Sequence, residues 1–202
     1  LYYVGDTTDP RRGQFYGNVS AKLTEISTLL LFFELELNRI ADSDLAEKLK
    51  VPTLAHYKPW IDNLRMEKPY QLDDKIEELF LEKSQTGAAA FNRLFDETMA
   101  SLKFVVDGED LNLEGVLNLL SDRDETKREA AFHAVAKTLD QNKRLFTQIT
   151  NVLAKDKEIS DRWRGYKDIA DSRHLANSVE REVVDALQSA VEAAYPRLSH
   201  RY

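Results

Sequence analysis

SDRDETKREAAFHAVAKTLDQNKRLFTQITNVLAKDKEISDRWRG, Ser121 to Gly165, decides the architecture. Ser121 with Asp124 offers a capping box, a hydroxyl N-cap with an acid three residues on. The next 40 residues, to Arg164, hold neither Gly nor Pro. Apolar Phe132, Val135, Leu139, Phe146, Ile149 and Leu153 recur at helical steps, and Val152, Ile159 and Trp163 carry the stripe on. One long helix or two nearly collinear ones both satisfy this spacing. Asn142 and Asp156 fall on the stripe and need polar partners if buried. Gly165 supplies the stop.

The same grammar extends upstream. Only 7 Gly and 5 Pro occur in 202 residues, which favours helices. Ser20–Ala41 has apolar residues at steps of three and four from Leu23 to Ile40, and Leu29, Leu31, Phe32 and Leu35 widen that face, predicting a helix covered on more than one side. Asp42–Lys50 reads as a short charged helix stopped by Val51-Pro52, and Thr53–Met66 as a helix interrupted at Pro59. Asp73–Lys83 and Ala88–Met99 form a helical hairpin with Gly87 as C-cap. SLKFVVDGEDLNL breaks the pattern: residues 102–113 alternate and turn at Asp107-Gly108, the signature of a β-hairpin. A last helix starts at Asn177 or Ser178, runs through Val183, Leu187 and Val191, and stops before Pro196. The expected class is all-α with one β-hairpin, built from helical hairpins and long helices. The hairpin marks the boundary between residues 1–114 and 115–202.

Composition excludes several functions. A net charge of −7, from 28 basic and 35 acidic residues, argues against a general nucleic-acid binder. Without cysteine there is no disulfide framework and no thiolate metal site, which fits a cytoplasmic protein. The longest apolar run, LLLFF at 29–33, is too short to span a membrane, and no secretory signal is visible. The chain opens at Leu1 rather than Met and closes just after an amphipathic pattern, as expected of part of a longer polypeptide.

Chemistry-bearing motifs are sparse. His56, His133, His174 and His200 have no histidine four residues on, so the H-E-x-x-H zinc pattern is absent. Gly5, Gly13 and Gly17 are spaced too irregularly for a phosphate loop, and no G-x-S-x-G elbow occurs. The acid pairs Asp73-Asp74 and Glu77-Glu78 read as a solvated helical face. The strongest cluster is DRWRGYKDIADSRH, residues 161–174. Arg162, Arg164 and Arg173 could clamp a carboxylate there, with Tyr166 and His174 donating hydrogen bonds. Against this, Arg162 and Arg164 also suit a helix C-terminus, and Trp163 suits the core.

In wording, WIDNLRMEKPYQL (60–72), SQTGAAAFNRLFDE (84–97) and FTQITNVLAKDKEISDRWRGYKDIADSRH (146–174) together resemble oligoendopeptidase F, a branch of the thimet-oligopeptidase-like zinc endopeptidases. LYYVGDTTDPR (1–11) and EREVVDAL (180–187) are shorter echoes. The resemblance implies the N-terminal portion of a bacterial two-lobed metallopeptidase that cleaves oligopeptides in a closed channel. Residues 1–114 would be its N-terminal domain and 115–202 the opening helices of its catalytic domain. Zinc and its H-E-x-x-H ligands would lie beyond Tyr202, so no catalytic or metal residue is assigned here and this part alone should neither bind the zinc nor hydrolyse peptides. Tyr166, Arg173 and His174 become candidates for lining or bracing the channel. Truncation would bare Val183, Leu187 and Val191, favouring a dimer. The competing class is a non-catalytic helical scaffold that holds peptides. A nucleic-acid module ranks behind both.

Overall fold

The structure is a computed structural model and describes residues 2–201. It is helical apart from one two-stranded sheet: α1 (Pro10–Arg39), α2 (Asp42–Lys48), α3 (Pro52–Ala55), α4 (Lys58–Met66), α5 (Asp74–Ser84), α6 (Ala88–Ser101), β1 (Phe104–Val106), β2 (Glu109–Leu111), α7 (Leu113–Leu119), α8 (Glu125–Arg164), α9 (Asp171–Ala176) and α10 (Arg181–Ala194). Lys68–Tyr70 and Ser199–Arg201 add single 3-10 turns. No helix among the described residues is long and apolar enough to cross a membrane. The chain folds as two compact units, one of residues 1–29 and 78–157, the other of 30–77 and 158–202.

The first unit has its core at the β-hairpin. β1 and β2 pair antiparallel with Phe104 opposite Leu111 and Val106 opposite Glu109. Asp107 (φ 51°) and Gly108 (φ 86°) make the left-handed two-residue turn that the pair requires. Alternation sends Phe104 and Val106 inward while Val105 faces out. Those two pack with Val116 of α7 and with Ala131 and Ala134 of α8. α7 is started by Asn112, whose side chain accepts the Gly115 N–H at 2.8 Å. α8 is one continuous helix, and its N-cap is Asp124, accepting from Thr126 N at 2.9 Å, rather than Ser121. Its expected stripe is buried at Ile149 and half-buried at Val135, Leu139, Phe146 and Leu153, and it departs from expectation at Phe132. Ala131 and Ala134 are buried against the hairpin, with Val135 packed beside them, while Phe132 is 61% exposed. Asn142 satisfies its amide on the Thr138 carbonyl, and Asp156 is exposed.

α1 begins ten residues before the expected start at Ser20. Asp9 accepts the Arg11 N–H at 2.8 Å as N-cap, and Pro10 is pre-set for the first helical position. Gly13 and Gly17 sit inside this helix because Arg93 of α6 presses against it. Arg93 Nη2 donates to the Gly13 carbonyl at 3.1 Å, and a Cβ on Gly13 would stand 3.0 Å from that nitrogen. Arg93 also bonds Glu97 at 2.7 Å and lies over the stacked rings of Tyr3 and Tyr16. Gly87 is not the αL C-cap expected of it. Its φ is −99° and it precedes α6 as N-cap.

In the second unit the end of α1 is closed by an arginine. Arg65 of α4 donates to the carbonyls of Leu37 and Ile40, at 3.1 and 2.9 Å, and pairs with Asp42. A cation here meets both the orphan carbonyls and the negative end of the helix dipole. Leu35, Leu45 and Ile61 are buried. The coverage expected for the rest of this helix is not found among the described residues: Leu29, Leu30, Phe32 and Phe33 are all exposed.

Candidate functional site

The joint after α8 organises the second unit. Gly165 takes φ +79°; its N–H reaches the Arg162 carbonyl, and Tyr166 N reaches that of Asp161. This is the double bond of a Schellman stop, which needs a left-handed residue after the last helical one. The turn lays Tyr166 on Tyr70, ring centroids 4.1 Å apart and planes 21° from parallel.

One residue earlier, Arg164 clamps a carboxylate, as the arginine cluster suggested, but the carboxylate belongs to the chain itself. Nη1 and Nη2 meet the two oxygens of Glu77 at 2.7 and 2.8 Å, and Nη1 also donates to the Tyr70 carbonyl at 3.2 Å. The Leu72 N–H adds a bond to Glu77 at 2.8 Å. Glu77, expected on a solvated face, is therefore buried, while Glu78 stays exposed. Burial raises the Glu77 pKa, but the Arg164 and Leu72 hydrogen bonds outweigh it and hold the carboxyl below its usual value. Burial pushes the Tyr166 hydroxyl up.

The other members of the cluster diverge. Arg162 bonds Glu158 one turn back, at 3.0 Å. Trp163 is 51% exposed rather than core, since the helix end turns it away from the buried edge. Asp171 accepts the N–H groups of Lys167 and Asp168 and is paired with Arg181, as is Asp168. That network fixes α9. Arg173 is exposed and His174 half-buried on it.

A cavity of about 300 Å³ lies beside the ion pair, lined by Glu34, Asn38, Glu67, Gln71 and the stacked tyrosines among others. Tyr166 lines it; Arg173 and His174 do not. Asn38 and Gln71 were outside every sequence expectation, and only proximity reveals them. Among the described residues no group of three or more His, Asp or Glu converges as a metal ion would need.

Residues 36–104 match the family model described as Oligopeptidase F. Over 98% of its length the chain is 26% identical to group B oligopeptidase PepB of Streptococcus agalactiae, and over 76% it is 28% identical to oligopeptidase PepF of Bacillus subtilis. The crystal structure of oligoendopeptidase-F from Enterococcus faecium superposes on 96% of the chain with a TM-score of 0.84 at 22% identity. In sequence and in fold the chain is similar to oligoendopeptidase F. The chain spans 34% of the length of PepB, 24% of PepF and 40% of the Enterococcus chain. The family match covers α2 to α6, which include Glu77, Tyr70 and Gln71 of the cavity.

Proposed function

We propose that the protein is part of a zinc-dependent oligoendopeptidase that hydrolyses internal bonds of short peptides in the cytoplasm. Residues 1–114 form the lobe that limits substrate length, and residues 115–202 the first helices of the catalytic domain. The observation that carries this reading is the oligopeptidase likeness running over nearly the whole chain, with the family match inside it. Zinc and the groups that bind it belong to parts of the polypeptide outside these 202 residues, so no chemical step is assigned to any residue here. The part left to this chain is steric and polar: it shapes the space in which a peptide lies. Tyr166, Arg173 and His174 line or brace that space.

The test is to express the polypeptide with whatever coding sequence follows Tyr202, and to assay a quenched fluorescent oligopeptide beside a folded protein. Cleavage of the peptide alone, abolished by a chelator and restored by zinc, is expected, with no cleavage by residues 1–202. Hydrolysis by residues 1–202 alone, or a longer polypeptide with no H-E-x-x-H and no activity, would overturn the reading.

A further inference from the structure

The cavity in the second unit has hydrogen-bonding capacity that the buried ion pair does not use. Three carboxylates line it, Glu34, Glu67 and Glu77, against one cation, Arg164. Arg164 is already spent on Glu77 and the Tyr70 carbonyl. No ion pair among the described residues involves Glu34 or Glu67. Asn38 is only 5% exposed, and its Nδ2 makes a long 3.4 Å bond to the Leu64 carbonyl. Its Oδ1 is buried without any partner, and so is Gln71 Oε1. A buried acceptor left unpaired is costly, and native proteins rarely keep one without use.

The buried unpaired atoms of this wall, Asn38 Oδ1 and Gln71 Oε1, are thus acceptors, and its unpaired charges, Glu34 and Glu67, are anions. That inventory repels phosphates and carboxylates. It lacks the converging ligands of a metal site. It matches a small organic cation with several N–H donors, for which the tyrosine rings offer a further favourable surface.

We propose that the cavity binds the cationic end of a peptide, an amino terminus or a basic side chain, through Asn38, Gln71 and Glu67. The peptide as carrier rests on the function proposed above; the preference for an N–H cation does not.

The experiment is a titration of the protein followed by the side-chain amide NMR signals of Asn38 and Gln71. The probes are n-butylammonium, n-butylguanidinium and tetramethylammonium, the last a cation with no N–H. The first two should shift both amides. Tetramethylammonium should bind about tenfold more weakly, the effect of losing one charged hydrogen bond. Gln71→Met and Glu67→Gln should each weaken butylammonium by about the same factor with the circular dichroism unchanged. Peptides with a free or an acetylated amino terminus, with and without lysine, then show which source the site prefers. Equal binding of tetramethylammonium, or no shift at the two amides with any probe, would overturn the proposal. Neither result depends on hydrolysis, so it can fail while the peptidase reading stands, and the reverse.

Discussion

Glu77 and Glu78 are identical side chains one position apart, and burial divides them. Glu78 is solvated. Glu77 takes three hydrogen bonds, from both Arg164 nitrogens and from the Leu72 N–H. Removing one member of such a pair strands the other, so Glu77→Gln should lower the free energy of unfolding by about 3 kcal/mol at pH 7. The pH dependence has a definite sign. A carboxyl whose pKa is depressed by folding contributes stability above its unfolded value, and loses it as pH falls through the folded one. The difference in urea midpoint between parent and E77Q should therefore be full at pH 7 and close as pH falls below about 4. Equal midpoints at pH 7, or a gap that persists into acid, would contradict this.

At the scale of elements, the joint between α8 and α9 depends on one backbone conformation. A Cβ at Gly165 would meet nothing within 4 Å, so the whole cost of substitution is the left-handed φ. Gly165→Ala should cost about 1 kcal/mol, and Gly165→Asn less, because asparagine tolerates that region. Thermal melts of the two variants against the parent measure the order; an alanine variant as stable as the parent would show that the turn relaxes. Such local signals were legible in the sequence. The Asp107-Gly108 turn, the Gly-free and Pro-free run of α8, and the break before Pro59 all act over a few residues and appear as expected. The early start of α1 has a local signal in Asp9-Pro10, but the reason Gly13 and Gly17 lie inside the helix is visible only in Arg93, which presses against them from 80 residues beyond Gly13. Distance in sequence hid the site for the same reason. Glu77 and Arg164 are 87 residues apart, and nothing local tells a buried glutamate from a solvated one. The buried side of α8 was legible at Ile149 and Val135 but not at its start, where Ala131 and Ala134 face the hairpin and Phe132 between them stays out.

For the whole chain, the boundary expected at residue 114 and the units of folding answer different questions. The chain enters and leaves the first unit inside α1, α5 and α8, so neither unit is one continuous stretch. Phe104 and Val106 lie before residue 114, and Val116, Ala131 and Ala134, which cover them, lie after it. A two-stranded hairpin is marginal by itself, and its stability here comes from burying Phe104 completely. Removing that ring by Phe104→Ala should cost about 3–5 kcal/mol. Cutting after 114 removes the other side of the same contact. Residues 1–114 should then leave the amides of Val106 and Glu109, the hydrogen-bonded pair that flanks the turn, open to hydrogen exchange and show no cooperative urea transition from this unit. Residues 1–157, which restore α7 and the covering part of α8, should protect both amides. If the shorter piece protects them equally, the hairpin is held from its N-terminal side. A boundary at 114 would then separate folding units as well as the proposed domains. If only the longer piece does, the opening helices of the proposed catalytic domain are needed to fold the domain before them, and a peptidase of this type could not exchange its N-terminal lobe at that point without losing the core.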